Sequence, residues 1–350
     1  MSLLVLAALC AAPAPLAAQQ PVQQGLHLPR RLPGGCSFVG ASHSMTFTPG
    51  AATENFLTTT ADPDLRRFIV QVPSSYDPLA GPYPVVYMFH GTSQTATSPV
   101  NNLNWDEAAE ALDFIAVFPE ALPYLLLDGT TRTKWATDAV IQYQADPSEL
   151  PLADDVTFIR ELHNTIGQHL AIDCDRVYAS GFSNGGGFVK TSVRRELGDI
   201  FAATSSAGGL GLQVGFTGEF WPSNGVDFRP HFELVGNKDE NKRQNCVALG
   251  DIAPGDTLPM ATADIVATPC MWDGLSAMAA EVGMDPGLFS SIEQTGYTEL
   301  LWSAELFPSA APREYRFRIL RNLTHEYPSG SNYAVDHVPI LYAWMSQYAR

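Results

Sequence analysis

Positive charge is scarce in this chain. Lys and Arg number 20 against 37 Asp and Glu, and the formal net charge is −17. A polyanion would be repelled by such a chain, so no nucleic-acid partner is expected. Charged residues of both signs make up only 16% of the sequence against 45% hydrophobic. That balance excludes a disordered or coiled-coil protein and requires a packed core. No internal run reaches the roughly 18 apolar residues of a membrane span, so no span is expected. His-x-x-His and Cys-x-x-Cys spacings are absent, and neither a metal nor an organic cofactor is expected.

The first 18 residues (MSLLVLAALCAAPAPLAA) carry no charge, are mostly apolar and end in small residues. They read as a secretory signal peptide cleaved near Ala18, although a basic n-region is missing. Pro13 and Pro15 argue against a buried helix there. Residues 19–50 are rich in Gly, Pro and Ser and read as an irregular N-terminal segment. Localisation is therefore expected to be secreted or periplasmic. Of five cysteines, Cys36, Cys174, Cys246 and Cys270 remain after the leader, an even number that suggests disulfides in an exported chain. Four cysteines allow three pairings. Cys246 and Cys270 are the nearest along the chain and are the expected pair, which leaves Cys36 with Cys174.

The body alternates strands with helices. Strands are expected at 65–72, 84–89, 114–118, 176–180, 231–235 and 316–320. The runs PVVYMF (84–89) and FIAVF (114–118) are continuously apolar, as in strands buried on both faces of a parallel sheet. Helices are expected at 104–112, 154–170, 184–197 and 338–348. Without an internal repeat or a linker, this alternation predicts one three-layer α/β domain over 51–350 with a mostly parallel central sheet.

Chemistry-bearing residues begin at Gly181. Gly181-Phe182-Ser183-Asn184-Gly185 matches Gly-x-Ser-x-Gly between a predicted strand and a predicted helix, the context of a nucleophile elbow. Glycines on both sides of Ser183 relieve clashes in so tight a turn. A serine hydroxyl needs a histidine to take its proton and an acid to orient that histidine. In this architecture the chain order is Ser, acid, His. Only three of the eight histidines follow Ser183, namely His231, His325 and His337. His231 opens a strand before any suitable acid, and His337 opens the last helix. His325, in the loop after the strand at 316–320, is the expected base. Asp239, past the strand at 231–235, is the expected acid, with Glu240 and Asp251 as competitors. The backbone N–H groups of Asn184 and Thr92 are the expected oxyanion donors, Thr92 because His90-Gly91-Thr92 follows an early strand. His90 is expected to brace that loop.

The motifs together resemble one family. Arg66 to Pro73, Pro84 to Gln94 with His90-Gly91, Asp154-Asp155-Val156, Gly-Phe-Ser183-Asn-Gly-Gly, Gly236-Asn-Lys-Asp239 and His325-Glu-Tyr327-Pro328 stand in the order of the α/β-hydrolase esterases. That group holds polyhydroxybutyrate depolymerases, feruloyl esterases and acetylxylan esterases. The resemblance runs from about 64 to 348 and implies an α/β-hydrolase fold with a catalytic triad of Ser183, Asp239 and His325. The implied activity is carboxylic-ester hydrolysis through an acyl-enzyme, on feruloyl or acetyl esters of plant polysaccharide or on a polyhydroxyalkanoate-type polyester. Three departures stand out. Tyr327 replaces a Trp beside the histidine, Asn237-Lys238 is unusual before the acid, and 241–270 is long enough to form a flap. No substrate-binding module is expected after Arg350, and a soluble or polysaccharide-borne ester is expected over a solid polyester. Trp135 and Tyr327 are expected to touch substrate, with Trp105 and Trp221 nearby. A monomer with an ester substrate as its partner is expected. A serine peptidase of this fold and a non-catalytic binding protein are the rival readings.

Overall fold

A computed structural model describes residues 38, 44–60, 65–209, 229–303 and 313–350. The expected leader and most of the segment at 19–50 lie outside the described residues, as do Cys36 and Trp221. In chain order the strands are β1 (Ala51–Leu57), β2 (Arg66–Val72), β3 (Tyr83–Phe89), β4 (Ile115–Pro119), β5 (Leu122–Leu125) and β6 (Thr131–Lys134). They continue as β7 (Ile172–Phe182), β8 (Ala203–Ala207), β9 (His231–Gly236), β10 (Ser290–Glu293), β11 (Tyr297–Ser303) and β12 (Glu314–Leu320).

Ten of them form one sheet in the order β1-β2-β4-β3-β7-β8-β9-β12-β11-β10, and β5 pairs with β6 in a small separate hairpin. The six central strands, from β4 to β12, run parallel, while the outer pairs at both edges are antiparallel. Every residue of β3, β4, β8 and β9 is buried. Such burial requires cover on both faces, and alternate residues supply it in both directions. On β9, Phe232 and Leu234 join a cluster with Trp105, Leu341, Trp344 and Met345 from the helices Trp105–Leu112 and Val338–Met345. Val235, together with Tyr315, Phe317 and Ile319 of β12, joins the other cluster, with Cys246, Met271, Leu275 and Met278.

The expected strands at 65–72, 84–89, 114–118, 231–235 and 316–320 coincide with β2, β3, β4, β9 and β12. β7 is longer than the expected 176–180 and begins at Ile172. The helix after Ser183 is interrupted. Asn184–Phe188 is α-helical, Val189–Val193 forms a π-turn, and Arg194–Glu196 resumes the helix. The stretch read as a flap at 241–270 is not one. It opens with the helix Glu240–Leu249, continues through Thr262–Ala267 and leads into Pro269–Glu281, and its Cys246, Leu258 and Ile265 are buried in the cluster that includes β9 and β12. The disulfide Cys246–Cys270 ties the first of these helices to the last, in the expected pairing.

Sequence order reverses between β3 and β7. The chain moves from β3 outward to β4, then returns to the other side of β3. Loops leaving the carboxyl ends of β3 and β7 therefore diverge, and the gap between them is where open α/β sheets place a site.

Candidate active site

β7 delivers Ser183 to that gap. Its backbone sits at φ 52°, ψ −116°, a strained conformation for a residue with a side chain. The turn is closed from both ends, since Ser183 N–H donates to the Ala207 carbonyl (2.9 Å) and Gly187 N–H donates to the Ser183 carbonyl (2.9 Å). The flanking glycines are required by contact. A Cβ on Gly181 would lie 2.4 Å from the Gly185 carbonyl oxygen, and one on Gly185 would lie 2.3 Å from that of Phe89.

Two loops from neighbouring parallel strands bring the other groups. Asp239 follows β9 and His325 follows β12. Four contacts lock the loops together. Asn237 N–H reaches the Leu320 carbonyl (2.9 Å), Lys238 N–H reaches that of Leu323 (2.9 Å), and Asn322 N–H donates to Asn237 Oδ1 (2.6 Å). The fourth is steric, for a Cβ on Gly236 would lie 2.1 Å from the Leu323 carbonyl oxygen. Asn237, an unusual residue at this place, is thus the buried clasp between the acid loop and the histidine loop.

Within this frame His325 Nδ1 lies 2.8 Å from Asp239 Oδ2, and His325 Nε2 lies 2.8 Å from Ser183 Oγ. The other carboxylate oxygen, Oδ1, accepts from the N–H groups of Asn241 (3.0 Å) and Lys242 (3.1 Å) as the cap of the helix Glu240–Leu249. Asp239 is buried, so a charge there needs these donors. An ionised carboxylate only accepts, which puts the imidazole proton on Nδ1 and leaves the Nε2 lone pair facing the serine hydroxyl. Glu240, one competitor for the acid, instead accepts from His325 N–H (3.2 Å), while the other, Asp251, accepts from Cys270 N–H (2.7 Å). Phe182 packs beside the imidazole at 5.3 Å between centroids.

The oxyanion candidates lie on the opposite side. A Cβ on Gly91 would meet Ser183 Cβ at 3.2 Å, so the loop after β3 touches the serine. Gly91 N–H donates to Gln94 Oε1 (2.8 Å) and Ser93 N–H to the Thr133 carbonyl (3.0 Å). Among the described residues, the N–H groups of Thr92 and Asn184 have no protein acceptor. His90 braces the loop from beneath. Its Nδ1 is 2.8 Å from the Gly91 carbonyl and its Nε2 is 3.1 Å from Ala121 N, which donates to it. Burial pushes its pKa down to about 4, so the ring is neutral.

Trp135 and Tyr327 are the corrections. Trp135 is fully buried and stacked on Phe188, with its N–H on Asn184 Oδ1 (2.7 Å) and its Nε1 on the His90 carbonyl (3.0 Å). Tyr327 is also buried; its hydroxyl takes the Trp105 indole N–H (3.2 Å) and lies 3.3 Å from Ser180 Oγ. Neither presents a face to a substrate; both pack behind the site. His231 is buried between Thr204 Oγ1 (2.9 Å) and Ser206 Oγ (3.1 Å), and His337 faces the Val335 carbonyl (3.0 Å). Lys134, absent from the expectations, is buried beside Thr92, and no local signal distinguished it from an ordinary hairpin lysine.

No protein-family model and no curated protein matches the chain. Solved structures do. Acetyl xylan esterase from Aspergillus awamori superposes with a TM-score of 0.54 at 16% identity, covering 84% of this chain and 98% of that one. A ferulic acid esterase superposes with a TM-score of 0.51 at 14% identity, covering 85% and 97%. The chain has the α/β-hydrolase fold. Ser183 stands at the carboxyl end of β7, beside the loop that follows β3.

Proposed function

We propose that the protein is a carboxylic-ester hydrolase in which Ser183 is the nucleophile, His325 the general base and acid, and Asp239 the orienting acid. The relay from Asp239 through His325 to Ser183, with 2.8 Å at each step, is the observation that carries this reading. Ser183 Oγ attacks the ester carbonyl as Nε2 takes its proton. Asp239 stabilises the resulting imidazolium through Nδ1. The N–H groups of Thr92 and Asn184 receive the oxyanion, and each such donor is worth about 3 kcal/mol in the transition state. The tetrahedral intermediate collapses as His325 gives its proton to the leaving alcohol. Water, deprotonated by the same imidazole, then releases the acid from Ser183.

The substrate class follows from the motif resemblance: feruloyl or acetyl esters on plant polysaccharide, or hydroxyalkanoate esters. Secretion to the periplasm or outside the cell fits the disulfide Cys246–Cys270, because such bonds persist in oxidising compartments. The test is hydrolysis of p-nitrophenyl acetate followed by a panel of methyl ferulate, acetylated xylan, polyhydroxybutyrate and an aliphatic polyester. Ser183→Ala is expected to lower kcat on the order of 10⁴-fold or more. Wild-type activity that survives Ser183→Ala would refute the assignment. Cleavage of a peptide panel in preference to all four esters would favour a peptidase instead.

A further inference from the structure

Lys134 ends β6 and is 7% exposed, yet no carboxylate lies within ion-pairing distance of it among the described residues. Its hydrogen bond runs from Nζ to Thr92 Oγ1, 3.0 Å away. Burial lowers its pKa to about 8, with Arg132 lowering it further and Asp128 raising it, so the amine still carries a proton at pH 7. A buried ammonium without a counter-charge is costly to keep and relies on the hydrogen bonds it makes. What it touches is the residue that follows Gly91, and Gly91 abuts Ser183. The next residue, Trp135, is clamped to Asn184, the residue after the serine. Lys134 is thereby fixed at the oxyanion side of the site from both directions.

The donor logic is one-sided. An ammonium has three donors and no acceptor, so Thr92 Oγ1 must accept from it. The hydroxyl still has its own proton to give, and no protein acceptor for that proton exists among the described residues. Accepting from a cation also makes the hydroxyl a stronger donor.

We propose that the Thr92 hydroxyl is a third, side-chain donor to the oxyanion, held in its donating orientation by Lys134. This rests on the hydrolase reading above. Thr92 would be a catalytic residue and Lys134 a positioning residue acting through it. The oxyanion would then meet two backbone N–H groups and one charge-assisted O–H.

The test is steady-state hydrolysis of p-nitrophenyl acetate by Thr92→Val, Thr92→Ser, Lys134→Met and the Thr92→Val/Lys134→Met double variant. The concentration of folded sites is set by thermal melting and near-ultraviolet circular dichroism. Thr92→Val is expected to lower kcat about 10- to 100-fold with KM within about twofold, since the donor acts only in the transition state. Thr92→Ser keeps the hydroxyl and is expected to retain kcat within about threefold. Lys134→Met is expected to lower kcat about tenfold alone and to have no further effect in the Thr92→Val background. Thr92→Ala carries the same expectation as Thr92→Val if the latter does not fold. Wild-type kcat in Thr92→Val or Thr92→Ala would overturn the proposal. So would Lys134→Met costing the same factor with and without the hydroxyl, which marks a structural role. Ser183→Ala in the same assay separates the outcomes. If it remains active, the hydrolase reading fails; if it is inactive while Thr92→Val is unimpaired, only the third donor fails.

Discussion

Gly208 faces the edge of the His325 ring. Its φ is +56°, and a Cβ there would lie 3.2 Å from Cε1 and 3.3 Å from Nδ1. Gly208→Ala therefore strains the backbone and pushes the imidazole away from Ser183. A fall in kcat on the order of tenfold or more with a native circular dichroism spectrum is expected, because catalysis is sensitive to sub-ångström displacement. Asp239→Asn is expected to keep the helix cap, since the amide oxygen still accepts from Asn241 and Lys242. It replaces the oxygen facing His325 Nδ1 with a donor and forces the wrong tautomer, so kcat should fall on the order of 10³- to 10⁴-fold while the melting temperature moves little. Equal losses of activity and of folded protein would contradict that split. At this scale the sequence was legible where the pattern is local. Ser183 and its glycines lie within five consecutive residues and carry their own steric reason. Asp239 and His325 required the chain-order argument. Lys134 and Thr92 are 42 residues apart, and nothing local announces their meeting. The packing role of Trp135 is hidden for the same reason. Its partners are His90 and Asn184, so a loop aromatic that looked available for stacking is consumed by packing.

Strands and helices rich in β-formers or helical periodicity were readable from sequence; those built from small polar residues were not. β8 reads Ala-Thr-Ser-Ser-Ala and looks like a loop, yet it is wholly buried. Its hydroxyls are satisfied sideways, Ser205 Oγ donating to Ser180 Oγ (2.9 Å) and Ser206 Oγ lying 3.1 Å from His231 Nε2. The helices after Asp239 were hidden by prolines and by a polar first turn, and their packing on β9 and β12 is tertiary. The cross-link between them has a checkable worth. Closing a loop with a sequence separation of 24 should stabilise the fold by about 3 kcal/mol through the unfolded chain, so the Cys246→Ser/Cys270→Ser variant is expected to lose that much in urea titration. A loss near zero would contradict it. The loop after β3 carries its own pH dependence through His90. The folded ring has a pKa of about 4 against an ordinary 6.5. Between those values the unfolded chain takes up a proton that the folded chain refuses. The His90 contribution to stability is therefore full above about pH 6.5 and declines as pH falls toward 4, by roughly 2–3 kcal/mol at pH 4.5. Unfolding midpoints at pH 7 and 4.5 check this, with a smaller drop expected in His90→Asn.

Across the whole molecule, alternation of apolar runs with amphipathic helices was enough to foresee a parallel sheet between two helical layers. The antiparallel edge strands β1, β10 and β11 were not foreseen, because all four residues of β10 are exposed and the others lack a continuous apolar run. Net charge acts at this scale too. With −17 on the chain, an ester of a cationic alcohol should show a lower KM than an isosteric neutral one at low salt. The advantage should vanish as ionic strength rises to about 0.5 M and the Debye length shrinks below about 5 Å. A ratio of KM values independent of salt would contradict a long-range origin. The proposed mechanism depends most on one event, transfer of the Ser183 proton to His325 as Oγ attacks an electrophile. Labelling with a fluorophosphonate, followed by peptide mapping, reads that event directly. The expected result is one phosphonyl group on Ser183, formed at a rate that collapses in His325→Ala. Label on another residue, or labelling of Ser183 at an unchanged rate without the imidazole, would contradict the account.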